Sequence, residues 1–249
     1  MRIAPDWHSL RVLSEVIMEK ICTVLWKPDG VSDDAFRDAL LSEAPELARA
    51  GAKSLRIDVV DGHVAAGTKV RVGRMDPPKS ACVHYWLHDA DARGPIEARL
   101  ARRASKLAAF LVVESEPIRN TTHVAPLGQR TPGFDLVTCI EPKDGLSYDE
   151  FITLWHEEHR AVALETQSSF GYVRNEIVRA LTPGAPGWAA IVEEHFPIEA
   201  LTDPLVWYAA EGSKDRYRRH LERMMQSCMA FLAIDRVEAH PMSEYVFER

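Results

Sequence analysis

The sequence predicts an α+β fold: two tandem βαββαβ units, each with one antiparallel sheet, packed sheet against sheet within one chain. Three observations carry this. The segment Thr23-x5-Asp29-Gly30-x-Ser32-x-Asp34-x-Phe36 returns as Thr138-x5-Asp144-Gly145-x-Ser147-x-Asp149-x-Phe151, 115 residues further on and without a gap. A second echo, Val113-Glu114-x-x-Pro117 against Val237-Glu238-x-x-Pro241, closes each half. The hydrophobic pattern also gives the same order of strands and helices in both halves. The repeat divides the 249 residues into an N-terminal extension (1–18), a first unit (19–118), a linker (119–133) and a second unit (134–249).

Each element has a local cause. Residues 20–27 are apolar and β-branched and read as a strand; Asp29-Gly30 is a turn. Ser32 is placed to cap a helix running toward Ala50, with Pro45 expected to kink or split it because proline lacks the amide hydrogen. Strands are predicted at 55–60, 81–87 and 109–116, a Gly/Pro-rich loop or loose hairpin at 63–79, and an amphipathic helix at 95–107. The second half repeats the order. A strand at 134–141 leads to Ser147, which with Glu150 makes a capping box. Strands follow at 170–178 and 189–196, helices at 198–210 and 214–232, and a last strand begins at 236–239. The order β-α-β-β-α-β is the ferredoxin-like unit. One such unit leaves a sheet face bare, and two in one chain can bury both, giving an intramolecular form of the dimeric α/β barrel.

Composition narrows the function. With a net charge of −7, a pI near 5.8 and no long basic run, a nucleic-acid partner is disfavoured. No apolar run approaches the roughly 18 residues of a membrane span. The first twenty residues are interrupted by charges, unlike a signal peptide. Cys22, Cys82, Cys139 and Cys228 are scattered with no CxxC, which fits a reducing cytoplasm.

Comparison of the halves points to a site in the second. On a helical wheel with about 100° per residue, Leu154, Trp155, Val162 and Thr166 share the face of Phe151 that packs on the sheet. Glu158 falls near the centre of that face, His159 at its edge and His156 further out. Glu158 matches Glu43, but His159 matches Ala44, Tyr172 matches Ile57 and Asn175 matches Val60. The first half is therefore expected to be scaffold.

The pattern Phe151-x3-Trp155-x3-His159, followed by Gly171-Tyr172-x-x-Asn175, resembles the EthD family of the dimeric α/β-barrel superfamily. The resemblance is firmest over residues 134–176 and reaches most of the chain through the repeat. EthD units normally pair as homodimers, so the chain looks like a fused pair with one site. The resemblance implies His159 as the polar centre of a pocket between helix and sheet, with Tyr172 and Asn175 nearby. Similar proteins include cofactor-free lyases and isomerases acting on lactones and polyketide-derived aromatics, in catabolic or secondary metabolism; the wider superfamily includes haem proteins and cofactor-free monooxygenases.

The leading expectation is cofactor-free acid–base chemistry on a small, partly apolar ring compound: dehydration, decarboxylation or isomerisation. Histidine titrates near neutrality, and Glu158 is expected to set the tautomer of His159. Tyr172 would donate to a developing oxyanion. Trp155 and Asn175 would contact substrate. Strand 189–196 alternates, so Glu193 and His195 share a face and could line the same cavity. No cofactor and no metal are expected. Three alternatives stand beside this reading: a non-catalytic binding or accessory protein, a haem-binding or monooxygenase-type barrel, and a metal held by His156, His159 and a third ligand such as His195. Trp86, Trp155, Trp207, Tyr208, Met224 and Met225 are core residues or a pocket wall. The basic stretch 215–226 is a solvated helix face or a greeting for a carboxylate. Further pairing into a homodimer of pseudo-dimeric chains is possible.

Overall fold

The computed structural model describes residues 18–248, so the expected extension lies outside the described residues except for Met18. Among the described residues eight strands form one closed antiparallel barrel. The first unit supplies β1 (Glu19–Trp26), β2 (Lys53–Val59), β3 (Ala81–Leu87) and β4 (Lys106–Ile118). The second supplies β5 (Phe134–Ile140), β6 (Gly171–Ala180), β7 (Ala190–Phe196) and β8 (Glu238–Val246). Around the barrel the order is β1-β3-β2-β8-β5-β7-β6-β4. Each unit therefore contributes a sheet of order 4-1-3-2. Two seams join the units, β2 on β8 and β4 on β6, each pairing the second strand of one unit with the last of the other. Closure leaves no sheet edge to protect.

The helices pack outside. In the first unit the predicted helix is split. The helix α1 (Asp33–Leu41) is capped by Ser32, and α2 (Ala44–Arg49) starts with Pro45 in its first turn, where a missing N–H costs nothing. The expected loop at 63–79 contains a 3₁₀ segment, Gly62–Lys69, and the helix expected to reach residue 107 ends early as α3 (Gly94–Ala101) because β4 already starts at Lys106. Phe36, Leu40, Ala44, Leu47, Ile57 and Tyr85 fill the space between helices and sheet completely.

In the second unit α4 (Tyr148–Thr153) begins at the Ser147–Glu150 capping box, runs into a π turn (Leu154–His159) and continues as α5 (Arg160–Thr166). The helix expected at 198–210 is instead a 3₁₀ turn, Ile198–Leu201, and the short α6 (Pro204–Trp207), interrupted where Pro204 cannot continue the ladder. The long α7 (Lys214–Phe231) follows.

The barrel interior has two ends of different character. One is an apolar plug of Trp26, Phe110, Val137, Ile191, Trp188 and Met242 with three buried cysteines, Cys22, Cys82 and Cys139. The other carries buried charge: Lys20, Arg56, Asp58, His84, Asp135, Glu193, His195 and Glu244. Among the described residues no helix is long and apolar enough to cross a membrane.

Candidate functional site

Between α4–α7 and the outer face of the second sheet lies a cavity of about 450 Å³. Its wall is mostly apolar: Leu136, Ile140, Val192, Trp207, Met224 and Phe231. Its polar groups are few, with His159, Tyr172 and Glu194 foremost. The matching space in the first unit is solid core. The strand registers explain the difference. Val24 faces Cys82, and its repeat partner Cys139 faces Ile191, which sets Tyr85 against Glu194. In the first unit Tyr85 fills the gap; in the second Glu194 leaves it open.

The π turn places the helix residues. It closes i→i+5 hydrogen bonds and so takes one more residue than an α turn, a device common at functional sites. Trp155 and His159 thereby both face the sheet, at 1% and 9% exposure. Glu158 does not: it is exposed and lines an outer groove with Arg223 and Ser227. The wheel put Glu158 at the centre of the buried face because it assumed a uniform α-helix. Glu158 therefore cannot orient His159. That task falls to Ser227, whose Oγ lies 2.9 Å from His159 Nδ1. The ring of Phe231 packs on the imidazole at 4.8 Å between centroids. His159 Nε2 has no protein partner among the described residues. Burial holds the imidazole down at about 4, so it is neutral at physiological pH.

Tyr172 is buried, and its hydroxyl accepts from Trp155 Nε1 at 3.0 Å. With that lone pair engaged, its own proton is free to be given to a ligand. Burial raises the phenol well above its ordinary range, so it remains a donor. Glu194 is the residue that sequence reasoning missed. It is enclosed by protein, yet its carboxylate keeps some accessible surface because it borders the cavity. No hydrogen bond or ion pair holds it among the described residues. Burial pushes it up to about 7, with His195 behind the strand pulling weakly the other way. Its negative charge is felt around the cavity: burial first, then Glu194, lifts the Cys228 thiol to about 12. Cross-strand pairing with Tyr172 was the signal that would have found it, and that needs the register of β6 on β7.

Asn175, Glu193 and His195 are not in this cavity. Side chains alternate along a strand, so Asn175, three residues beyond Tyr172, points into the barrel. There its Nδ2 donates to Glu193 Oε1 at 2.7 Å, while Lys20 Nζ donates to its Oδ1 at 2.7 Å. Glu193 and His195 share a face as expected, but that face is the barrel interior. Arg56 pairs with Glu193, and His195 Nε2 lies 2.9 Å from Glu244. Burial opposes the charge on His195, but Asp135 and Glu244 overcome it and raise the ring to about 10. Gly171 is required here: a Cβ would sit 2.8 Å from His195 Nδ1. The sheet separates His195 from His156 and His159, so these three do not assemble around one metal. His156 instead approaches Glu176, at 3.4 Å. Of the aromatic and methionine residues singled out, Trp155, Trp207, Tyr208, Met224 and Met225 line the helix–sheet cavity. Trp86 lines a second cavity, of about 540 Å³, at the charged end of the barrel.

No family model matches the chain, and no curated protein matches it in sequence. Solved structures do match in shape. An anthrone oxidase-like protein superposes with a TM-score of 0.55 over 93% of this chain and 94% of its own, at 8% identity. A monooxygenase-like protein from Lactobacillus acidophilus gives 0.46 over 93% and 97%, at 9% identity. Chlorite dismutase from Candidatus Nitrospira defluvii gives 0.44 over 91% of each chain, at 10% identity. At these identities the likeness concerns the fold: a dimeric α/β barrel, here closed within a single chain.

Proposed function

We propose that the chain binds a small, largely apolar ring compound of the aromatic, lactone or polyketide-like class in the helix–sheet cavity, and that it acts on this compound by proton transfer without a cofactor. The observation that carries the reading is Glu194: an unpaired carboxylate across from the Tyr172 donor, in an apolar cavity that a neutral His159 also lines. A free carboxylate in such a place is poorly solvated, and enzymes hold acids this way so that they titrate near neutrality.

The chemistry follows from the three groups. Ionised Glu194 takes a proton from a carbon next to a carbonyl or conjugated with it through the ring. The C–H electron pair moves into the ring and the carbonyl electrons onto oxygen, where the Tyr172 O–H stabilises the charge. Return of the proton to another carbon completes an isomerisation. Transfer of it to a departing hydroxyl completes a dehydration, with water as the second product. Neutral His159 offers Nε2 as an acceptor for a ligand phenol, and Ser227 fixes the ring. Trp155 positions Tyr172. The first unit acts as scaffold and 119–133 as linker. Membership of the EthD family, a cytoplasmic location and pairing of two chains belong to the same reading.

Anthrone is a suitable probe, because the anthrone oxidase-like protein shares the fold and the compound carries an acidic C–H beside a carbonyl-bearing aromatic system. Binding is followed by quenching of Trp155 and Trp207, and turnover by absorbance. Wild type should bind, and Glu194→Gln should bind without turnover. Failure of anthrone and of a panel of hydroxylated aromatics and lactones to bind wild type would refute the assignment.

A second reading rests on His159. A neutral imidazole with Nδ1 held by Ser227 and Nε2 unpartnered, in an apolar cavity, would suit a residue that holds haem iron. Bound haem would supply redox chemistry, His159 would hold it, and the apolar wall would exclude water. Haem titration separates the two: a Soret shift lost in His159→Ala favours haem, and indifference to haem favours proton transfer.

A further inference from the structure

On the other side of the sheet, inside the barrel, Asp58, His84 and Glu193 are brought together from three strands, β2, β3 and β7. We propose that these three residues form a site for one divalent transition-metal ion, separate from the helix–sheet cavity. One donor atom from each lies within 4.8 Å of the others, and all three residues are at most 1% exposed.

A set of orphaned atoms points to a ligand. Neither carboxylate oxygen of Asp58 accepts a hydrogen bond, and His84 Nε2 makes none, although Asp58 Oδ2 is only 3.0 Å from that nitrogen. The two atoms are close but out of line for a hydrogen bond. The two form an ion pair, and the second oxygen, Asp58 Oδ1, is left without a hydrogen bond, which costs a buried polar atom roughly 1–3 kcal/mol. It is the arrangement expected of two ligand atoms whose lone pairs converge on one ion. The other nitrogen, His84 Nδ1, contacts Cys22 Sγ at 3.3 Å and lies 3.4 Å from Glu193 Oε1, contacts that orient the ring and leave Nε2 for the metal.

This end of the barrel holds five carboxylates (Asp58, Glu114, Asp135, Glu193 and Glu244) among Lys20, Arg56 and the imidazoles of His84 and His195. Arg56 and Asn175 already engage Glu193, so they hold this carboxylate in position rather than fill the site. Asp58 and His84 face each other at 3.0 Å, and Asp58 Oδ1 accepts no hydrogen bond.

One nitrogen and two oxygens suit manganese, iron, cobalt or zinc better than calcium or magnesium. Three protein ligands leave positions for water or a substrate oxygen. His84 borders the 540 Å³ cavity, lined also by Lys20, Arg56, Glu114, His195 and Glu244, so those positions have a route to a small polar ligand.

The test uses the full chain, stripped with chelator and dialysed, then titrated with Zn2+ by calorimetry and Co2+ by visible absorption. One ion per chain is expected, with weak d–d bands and no near-ultraviolet thiolate band. Asp58→Asn and His84→Gln should each weaken binding at least tenfold with unchanged far-ultraviolet circular dichroism. His159→Ala should leave binding intact. If either barrel variant fails to fold, wild type still decides: saturating Zn2+ must raise its melting temperature. No stoichiometric binding by wild type overturns the proposal. So does binding that survives in a folded His84→Gln, binding lost in a folded His159→Ala, or a thiolate band assigning the ion to Cys22.

Discussion

Glu194 makes the most exacting test of the site, because its environment predicts both a sign and a pH window. Its carboxyl titrates near 7 in the folded chain instead of near 4.5, since burial disfavours the ionised form. Between these values the folded state holds a proton that the unfolded state has released. Stability therefore falls as pH rises from about 4.5 to 7 and stays low above it. A displacement of about 2.5 units at about 1.4 kcal/mol per unit corresponds to roughly 3 kcal/mol. This is an upper figure, because the carboxylate keeps some contact with cavity water. Glu194→Gln preserves shape and removes the titration. The variant should match wild type near pH 4.5 and exceed it by about 2–3 kcal/mol at pH 8. For a chain of this size that is roughly 5–10 °C in melting temperature. The assay is thermal unfolding followed by circular dichroism at half-unit steps from pH 4.5 to 8.5. A difference that does not vary with pH would refute an unpaired, buried Glu194. A variant less stable at pH 8 would point to a partner for the carboxylate.

Other expectations follow from the same contacts. The His159 imidazole is held near 4 by burial, so its contribution to stability is present above the ordinary histidine range and is lost as pH falls toward 4; His159→Phe should flatten that acid limb while ligand binding disappears, and a variant that does not fold would make the residue structural. Tyr172→Phe leaves Trp155 Nε1 without its buried acceptor and should cost roughly 1–3 kcal/mol in denaturant unfolding, together with ligand binding. Glu158→Ala, at an exposed position, should change stability by less than about 0.5 kcal/mol and leave binding alone, and loss of binding there would restore it to the site. Ala44→His should not create a second site. Ala44 is 2% exposed in filled core, so the larger ring should destabilise by roughly 1–3 kcal/mol; gain of a second ligand equivalent would count against the single-site reading.

How far the sequence reached can be judged residue by residue. The ungapped echo of Thr23–Phe36 in Thr138–Phe151 was sufficient for two βαββαβ units, because strand and helix periods are local properties of a chain. Pro45 and the Ser147–Glu150 box were legible for the same reason: amide hydrogens and helix caps depend on neighbours three or four residues away. His159, Trp155 and Tyr172 could be singled out because one half has them and the other does not, and the fold brings them to one cavity wall. Glu158 was misplaced by a single π turn, a change of backbone hydrogen bonding that leaves no mark in hydrophobic periodicity. Asn175, Glu193 and His195 were assigned to the wrong face of the right sheet. Alternation tells which residues share a face but not which face meets the helices. That choice is made by closure of the barrel, where β2 meets β8 and β4 meets β6, strands far apart in the chain. The register of β6 on β7 sets Glu194 beside Tyr172, and closure brings Glu193 of the second unit to Asp58 and His84 of the first. The sequence by itself determined the two units and the half that differs. Only the tertiary structure decided which side chains meet, because those encounters depend on long-range strand register, which no local pattern contains.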